Sequence, residues 1–178
     1  MSPNTGSRAS NGVRCDHDLV IGLYAGSFDP PHYGHIDIAE AAATRCTHLW
    51  VATVSNPSKS TGMFSLTTRR ELLRHSLDHL PNVEVIDHNG LLVRLATDLG
   101  VDVMFRGASK DLSTELQMSY MNDQMSRIPT LFVPATPEHA GFSSRYVRSL
   151  YRSGGAAAVR DCVPDAVFDA LSALESVD

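Results

Sequence analysis

The chain has 178 residues, 43% of them hydrophobic, and a formal net charge of −5. That length and composition suit one domain that buries its own core without cross-links. The acidic balance excludes a sequence-independent nucleic-acid binder, which needs a basic face. Three widely spaced cysteines with no CxxC pair, Cys15, Cys46 and Cys162, argue against a disulfide framework or a zinc ribbon and fit a reducing, cytoplasmic setting.

Residues 1–18 are polar, lack the apolar core of a signal peptide, and read as a disordered tail ahead of a single domain over 19–178. LVIGLYA (19–25) is a continuous apolar run, the pattern of a strand buried on both faces. GSFDPPHYGH (26–35) follows as a turn, and 34–44 read as a helix with Ile36, Ile38, Ala39, Ala42 and Ala43 mostly on one side. HLWVATV (48–54) is a second buried strand, with Trp50 expected in the core. SNPSKSTGM (55–63) is a loop by its Ser, Asn, Pro and Gly content. Residues 65–80 make an amphipathic helix with Leu73, Leu77 and Leu80 in register; Thr67 or Thr68 is its expected cap, because Glu71 stands where a capping box places a Glu. Strands at 83–87, 101–105 and 130–135 then alternate with helices over 90–100, 112–126 and 143–155, and a last helix spans 164–174. No stretch approaches the roughly 20 apolar residues of a membrane span.

Short apolar strands separated by helices are βαβ units, so the expected fold is α/β: a Rossmann-like, doubly wound, five-stranded parallel sheet with C-terminal helices. Ligands of such sheets bind beyond the carboxyl ends of the strands. The unusual segments GSFDPPHYGH, SNPSKS, RGASK and HAGFSSR each follow a strand on that side and should converge on one crevice.

The chemistry of these four segments is phosphate chemistry. A helix N-terminus offers unpaired N–H groups and a positive dipole end to an anion, and Gly34 lets a ligand approach the backbone. His32 and His35, at i and i+3, can face one phosphate as donors that stabilise charge on a transferring phosphoryl group. Lys59, Arg106 and Lys110 add cations, Gly107 permits close backbone approach, and Ser143 and Ser144 open a helix as caps, phosphate donors or both. A zinc site of Asp29, His32 and His35 lacks the usual ligand spacing, so no metal ligands are assigned. There is no GxxxxGK[ST] loop, no GxGxxG after the first strand and no GxSxG elbow. Four donor-rich loops without a nucleophile suit nucleotidyl or phosphoryl transfer by positioning, without a covalent intermediate.

GSFDPPHYGH resembles the (G/S/T)xFDPxHxGH signature of the HxGH nucleotidyltransferases, and SSRYVR resembles their ISSTxVR signature. SNPSKSTGMFSLTTRREL, the segment from NVEVID to VMFRG, and TELQMSYMN are similar to the corresponding segments of the bacterial phosphopantetheine adenylyltransferase family. The resemblance covers about residues 20–152. It implies transfer of AMP from ATP to 4′-phosphopantetheine, giving dephospho-CoA and pyrophosphate in coenzyme A biosynthesis, with Mg²⁺ assisting and a homohexamer as the usual assembly. It further implies that His35 stabilises the transition state, that Ser27 and Lys59 bind the reacting phosphates, and that Arg106 orients the acceptor. Phe28, His32, Gly34, Gly107, Lys110 and Glu115 would help hold the nucleotide, Ser143 and Ser144 its outer phosphates, and Leu92 and Asn122 would line the pantetheine arm. The chain departs from the family at His32, usually Thr, and at RGASK, usually RGLR. These departures leave open a paralogue that adenylylates or cytidylylates another phosphorylated or phosphonate acceptor.

Overall fold

The structure, a computed structural model, describes residues 19–55, 62–108, 117, 120 and 126–175. The first apolar run forms β1 (Ile21–Gly26), the middle strand of a sheet that also holds β2 (His48–Val54), β3 (Val83–His88), β4 (Val103–Gly107) and β5 (Thr130–Val133). The order is β3-β2-β1-β4-β5, and every pairing is parallel, as expected. Side chains alternate between two packed faces. Tyr24, Leu49, Val51, Val103 and Phe105 point to one side, where they meet α1 (Tyr33–Ala43) and α2 (Leu66–Ser76). Leu23, Ala52 and Met104 point to the other, against α3 (Leu92–Asp98). Burial on both faces is why these strands read as unbroken apolar runs. Trp50 is half-buried in the α3-side cluster, in keeping with a core role.

The C-terminal helices do not cover the sheet. α4 (Ser144–Gly154), a 3-10 helix (Ala156–Cys162) and α5 (Asp165–Glu175) build a second cluster around Val147, Val159, Val163, Val167 and Leu171. Phe64 and Leu72 join it, so the cluster braces α2 and the segment leading into it. The single helix expected over 143–155 therefore continues into a 3-10 turn that the sequence reading did not anticipate. Gly155 makes that break at φ 70, where its missing Cβ avoids strain.

Helix α2 also differs in detail from the expectation. Its cap is Ser65, whose Oγ accepts the Thr68 N–H at 3.1 Å, and neither Thr67 nor Thr68 caps it. Glu71 pairs instead with Arg70 and Arg74, so the expected capping box is absent. The tail expected over 1–18 and most of the helix expected over 112–126 lie outside the described residues.

Candidate active site

The registers Gly26↔Thr53 and Tyr24↔Phe105 level the carboxyl ends of β1, β2 and β4, so the turn after β1 opens on the same edge as Arg106 and Gly107. From Gly26 the chain turns through Ser27–Pro30 into α1. Phe28 holds a φ of 45, strained for a side chain with a Cβ, and is 1% exposed. Its ring sits edge-on to Tyr24 at 5.2 Å and to His35 at 4.9 Å, and this packing holds the turn in place.

Residues from three other segments pin the polar groups of this turn. Both Asp29 carboxylate oxygens accept backbone N–H groups, from Met63 at 2.9 Å and Phe64 at 2.9 Å. Arg69 of α2 donates from Nη1 to the Ser27 carbonyl at 2.5 Å. Arg148 of α4 donates to the Asp29 carbonyl. The Ser144 hydroxyl donates to the Pro30 carbonyl at 2.9 Å. The two segments that carry the family signatures are thus joined directly, through Ser144 and Arg148. The Arg148 guanidinium therefore does not lie free on a solvated helix face but reaches across to the turn.

His32 is the N-cap of α1 and His35 lies one turn in. Their rings stack with centroids 3.6 Å apart and planes at 30°. His35 Nδ1 accepts the His32 backbone N–H at 3.3 Å. In a neutral ring, an accepting Nδ1 leaves the proton on Nε2, so this bond sets the tautomer. Burial pulls the His32 pKa down to about 4; the Asp37 charge opposes this and His139 adds to it. Burial, then the neighbouring His32, holds His35 well below the ordinary histidine value, although part of its surface stays accessible. Both rings are therefore neutral near pH 7 without a ligand, and each can offer one ring N–H as a donor. His32 Nδ1 is buried with no hydrogen-bond partner among the described residues.

A second cluster lies beside the histidines. Asp37 accepts the Thr136 N–H at 2.9 Å and its hydroxyl at 2.7 Å, and it pairs with His139 Nδ1 at 2.9 Å. Burial alone would raise the Asp37 carboxyl, but hydrogen bonds from Thr136 and His139 outweigh it and hold the pKa below its ordinary value. The His139 ring lies between Tyr33 and Phe142, at 5.2 and 5.5 Å. A Cβ on Gly34 would sit 3.1 Å from the His32 ring and 3.2 Å from the His139 carbonyl, so only glycine fits there without a shift.

The structure thus brings Ser27, Phe28, His32, Gly34, His35 and Ser144 together. Ser143 is the N-cap of α4, its Oγ accepting the Tyr146 N–H at 3.2 Å. Arg106 is half-buried at the end of β4, and a Cβ on the adjacent Gly107 would meet Ile38 Cδ1 at 2.6 Å, so β4 passes close under α1. Leu92 begins α3 and packs in the cluster on the far face of the sheet, with Trp50 and Ile86. Lys59, Lys110, Glu115 and Asn122 lie outside the described residues. The sequence reading missed Arg69, Asp37 and His139. Arg69 lies within SNPSKSTGMFSLTTRREL, His139 within HAGFSSR and Arg148 within SSRYVR, so those segments could have flagged all three, whereas Asp37 stood in none of them.

Residues 23–150 match the family described as Cytidylyltransferase-like. The chain is 39% identical over 156 residues to the phosphopantetheine adenylyltransferase of Actinobacillus pleuropneumoniae serotype 3 (strain JL03), an alignment covering 86% of this chain and 97% of that one. It is 40% identical over 139 residues to the phosphopantetheine adenylyltransferase of Nostoc punctiforme, covering 76% and 75%. Among solved structures, a Vibrio parahaemolyticus chain provisionally named as a nicotinate-nucleotide adenylyltransferase superposes with a TM-score of 0.60 at 16% identity, covering 85% of this chain and 97% of that one, which is a likeness of fold. Joined to the paired histidines on a helix N-terminus and the SSRYVR helix docked on their turn, these similarities place the chain in the cytidylyltransferase-like nucleotidyltransferases and, within them, in the phosphopantetheine adenylyltransferase family.

Proposed function

We propose that the protein transfers AMP from ATP to 4′-phosphopantetheine, giving dephospho-CoA and pyrophosphate. The observation that supports this most is the His35 ring, stacked on His32 at the start of α1, with its tautomer set by the His32 N–H and its position set by Phe28. In the reaction, an oxygen of the acceptor phosphate forms a bond to the α-phosphorus of ATP. The bond from that phosphorus to the bridging oxygen breaks, and its electron pair leaves with pyrophosphate. No enzyme group forms a covalent bond. His35 Nε2–H serves the charge that builds on the transferring phosphoryl oxygens, where a prepositioned donor acts most strongly.

Under this proposal Ser27 and Lys59 meet the reacting phosphates and Arg106 the acceptor. Phe28, His32, Gly34, Gly107, Lys110 and Glu115 frame the nucleotide, Ser143 and Ser144 its outer phosphates, and Leu92 and Asn122 the pantetheine arm. Among the described residues no group of three His, Cys, Asp or Glu side chains is placed to hold a metal, and both oxygens of Asp29 are already engaged. Mg²⁺ belongs to the same proposal as a companion of the ATP phosphates, whose charge it would neutralise when bound. A cytoplasmic homohexamer belongs to the same proposal, and solution mass tests the assembly.

The test is pyrophosphate release with Mg²⁺-ATP, comparing 4′-phosphopantetheine with nicotinamide mononucleotide as acceptor and CTP as alternative donor. Release only with ATP and phosphopantetheine supports the proposal. Release only with another acceptor or with CTP replaces it by the paralogue reading, which the departures at His32 and RGASK would then explain.

A further inference from the structure

Arg69 is 8% exposed, one of the few charged side chains in the interior. Its bonds run to carbonyls: Nε to Ser65 at 3.4 Å and Nη1 to Ser27 at 2.5 Å. Among the described residues no carboxylate pairs with it. A buried charge normally has a counter-charge, because desolvation is costly without one. The carboxylate that shares the turn is Asp29, whose two oxygens are occupied by the Met63 and Phe64 N–H groups. Against that one carboxylate the turn receives two guanidiniums, Arg69 on the Ser27 carbonyl and Arg148 on the Asp29 carbonyl. Counted over the charged side chains bonded to it, the turn thus carries one excess positive charge, and Ser27 stays partly exposed.

We infer that Arg69 is a positioning residue for phosphate: it fixes the Ser27–Phe28 turn and supplies the buried positive charge whose missing partner is a phosphate group of the substrate. The guanidinium acts through the Ser27 peptide and does not touch the ligand. Donation to the Ser27 carbonyl polarises the peptide that continues into Phe28, and the charge adds to the positive end of the α1 dipole at the same place. The idea rests on the nucleotidyl-transfer reading, since it needs a phosphate at this turn.

The experiment measures binding of inorganic pyrophosphate by calorimetry over a series of salt concentrations, with thermal unfolding as a control, for wild type, Arg69→Lys and Arg69→Gln. Loss of the charge in R69Q is expected to weaken pyrophosphate binding at least about fivefold and to flatten its salt dependence. R69K, which keeps the charge and a donor, is expected to stay within about threefold of wild type. A merely structural role would lower the melting temperature of both variants and leave the salt dependence unchanged. Equal pyrophosphate affinity and equal salt dependence in wild type and R69Q overturn the inference. If R69Q does not fold, R69K decides: folded R69K that loses more than about tenfold in affinity overturns it, and affinity near wild type sustains it. Failure of wild type to bind pyrophosphate at all would instead strike the nucleotidyl-transfer reading itself, so the two failures are distinguishable.

Discussion

Replacing Asp29 by alanine should damage stability and activity together, by an amount the structure sets. Two backbone N–H groups, of Met63 and Phe64, lose a carboxylate acceptor that each holds at 2.9 Å. Hydrogen bonds to a charged group contribute about 1.5–3 kcal/mol each, and a buried donor left without an acceptor costs a similar amount, so Asp29→Ala should cost roughly 3–6 kcal/mol. For a chain of this size each kcal/mol shifts the melting temperature by roughly 2–4 °C, which gives a loss of about 6–24 °C. Asp29→Asn keeps one acceptor oxygen and should lose about half as much. Calorimetric melting of the three proteins checks this, with pyrophosphate release measured well below each transition. A drop of less than about 3 °C for Asp29→Ala, or equal drops for Asn and Ala, would refute the view that this carboxylate ties the segment before α2 to the signature turn.

His35→Ala should lower kcat about 10²–10³-fold, the usual cost of one prepositioned donor, whereas His35→Gln, whose amide nitrogen stands near the place of Nε2, should lose less; steady-state kinetics on both variants decide. Because burial lowers the His32 pKa to about 4 and holds His35 well below its ordinary value, the unfolded chain binds more protons than the folded one below about pH 6.5. Stability should therefore be full above pH 6.5 and fall as the pH drops towards 4, by roughly 3 kcal/mol for His32, and His32→Asn should flatten the melting profile between pH 7 and 4.5. Gly34→Ala forces a Cβ against the His139 carbonyl and should cost about tenfold in kcat/KM for ATP with the fold retained by circular dichroism, since small displacements of a positioning element cost that much.

The sheet was legible because its central strands β1, β2 and β4 are buried on both faces and so show apolar runs of strand length, while the edge strands β3 and β5, with exposed positions such as Glu84 and Leu131, kept enough apolar residues to be read beside them. The opening signature was legible because a strand, a Gly–Ser turn and a His-Tyr-Gly-His helix start occur within a dozen residues. What holds that signature was not. Arg69 reaches Ser27 across 42 positions and Arg148 reaches Asp29 across 119, and no local pattern tells which carbonyl either guanidinium meets. Asp37 and His139, 102 positions apart, became a pair only once β5 was placed beside β4 and the chain after it returned over α1. Sequence composition also could not show that the two signature histidines are neutral, because that follows from their burial. The Ser65 cap was missed because Glu71 mimicked a capping box one turn further on, while its carboxylate serves Arg70 and Arg74.

The central claim is direct transfer of AMP between two phosphates at the His35 turn. Phosphorus NMR of the protein with Mg²⁺-ATP and 4′-phosphopantetheine tests it most directly. The account predicts that the phosphomonoester signal of the acceptor disappears while a new phosphoanhydride diester and inorganic pyrophosphate grow in equal amounts, and that His35→Ala abolishes this on the same time scale. An acceptor signal that stays unchanged while ATP is consumed, or an AMP group found covalently on the protein, would contradict it.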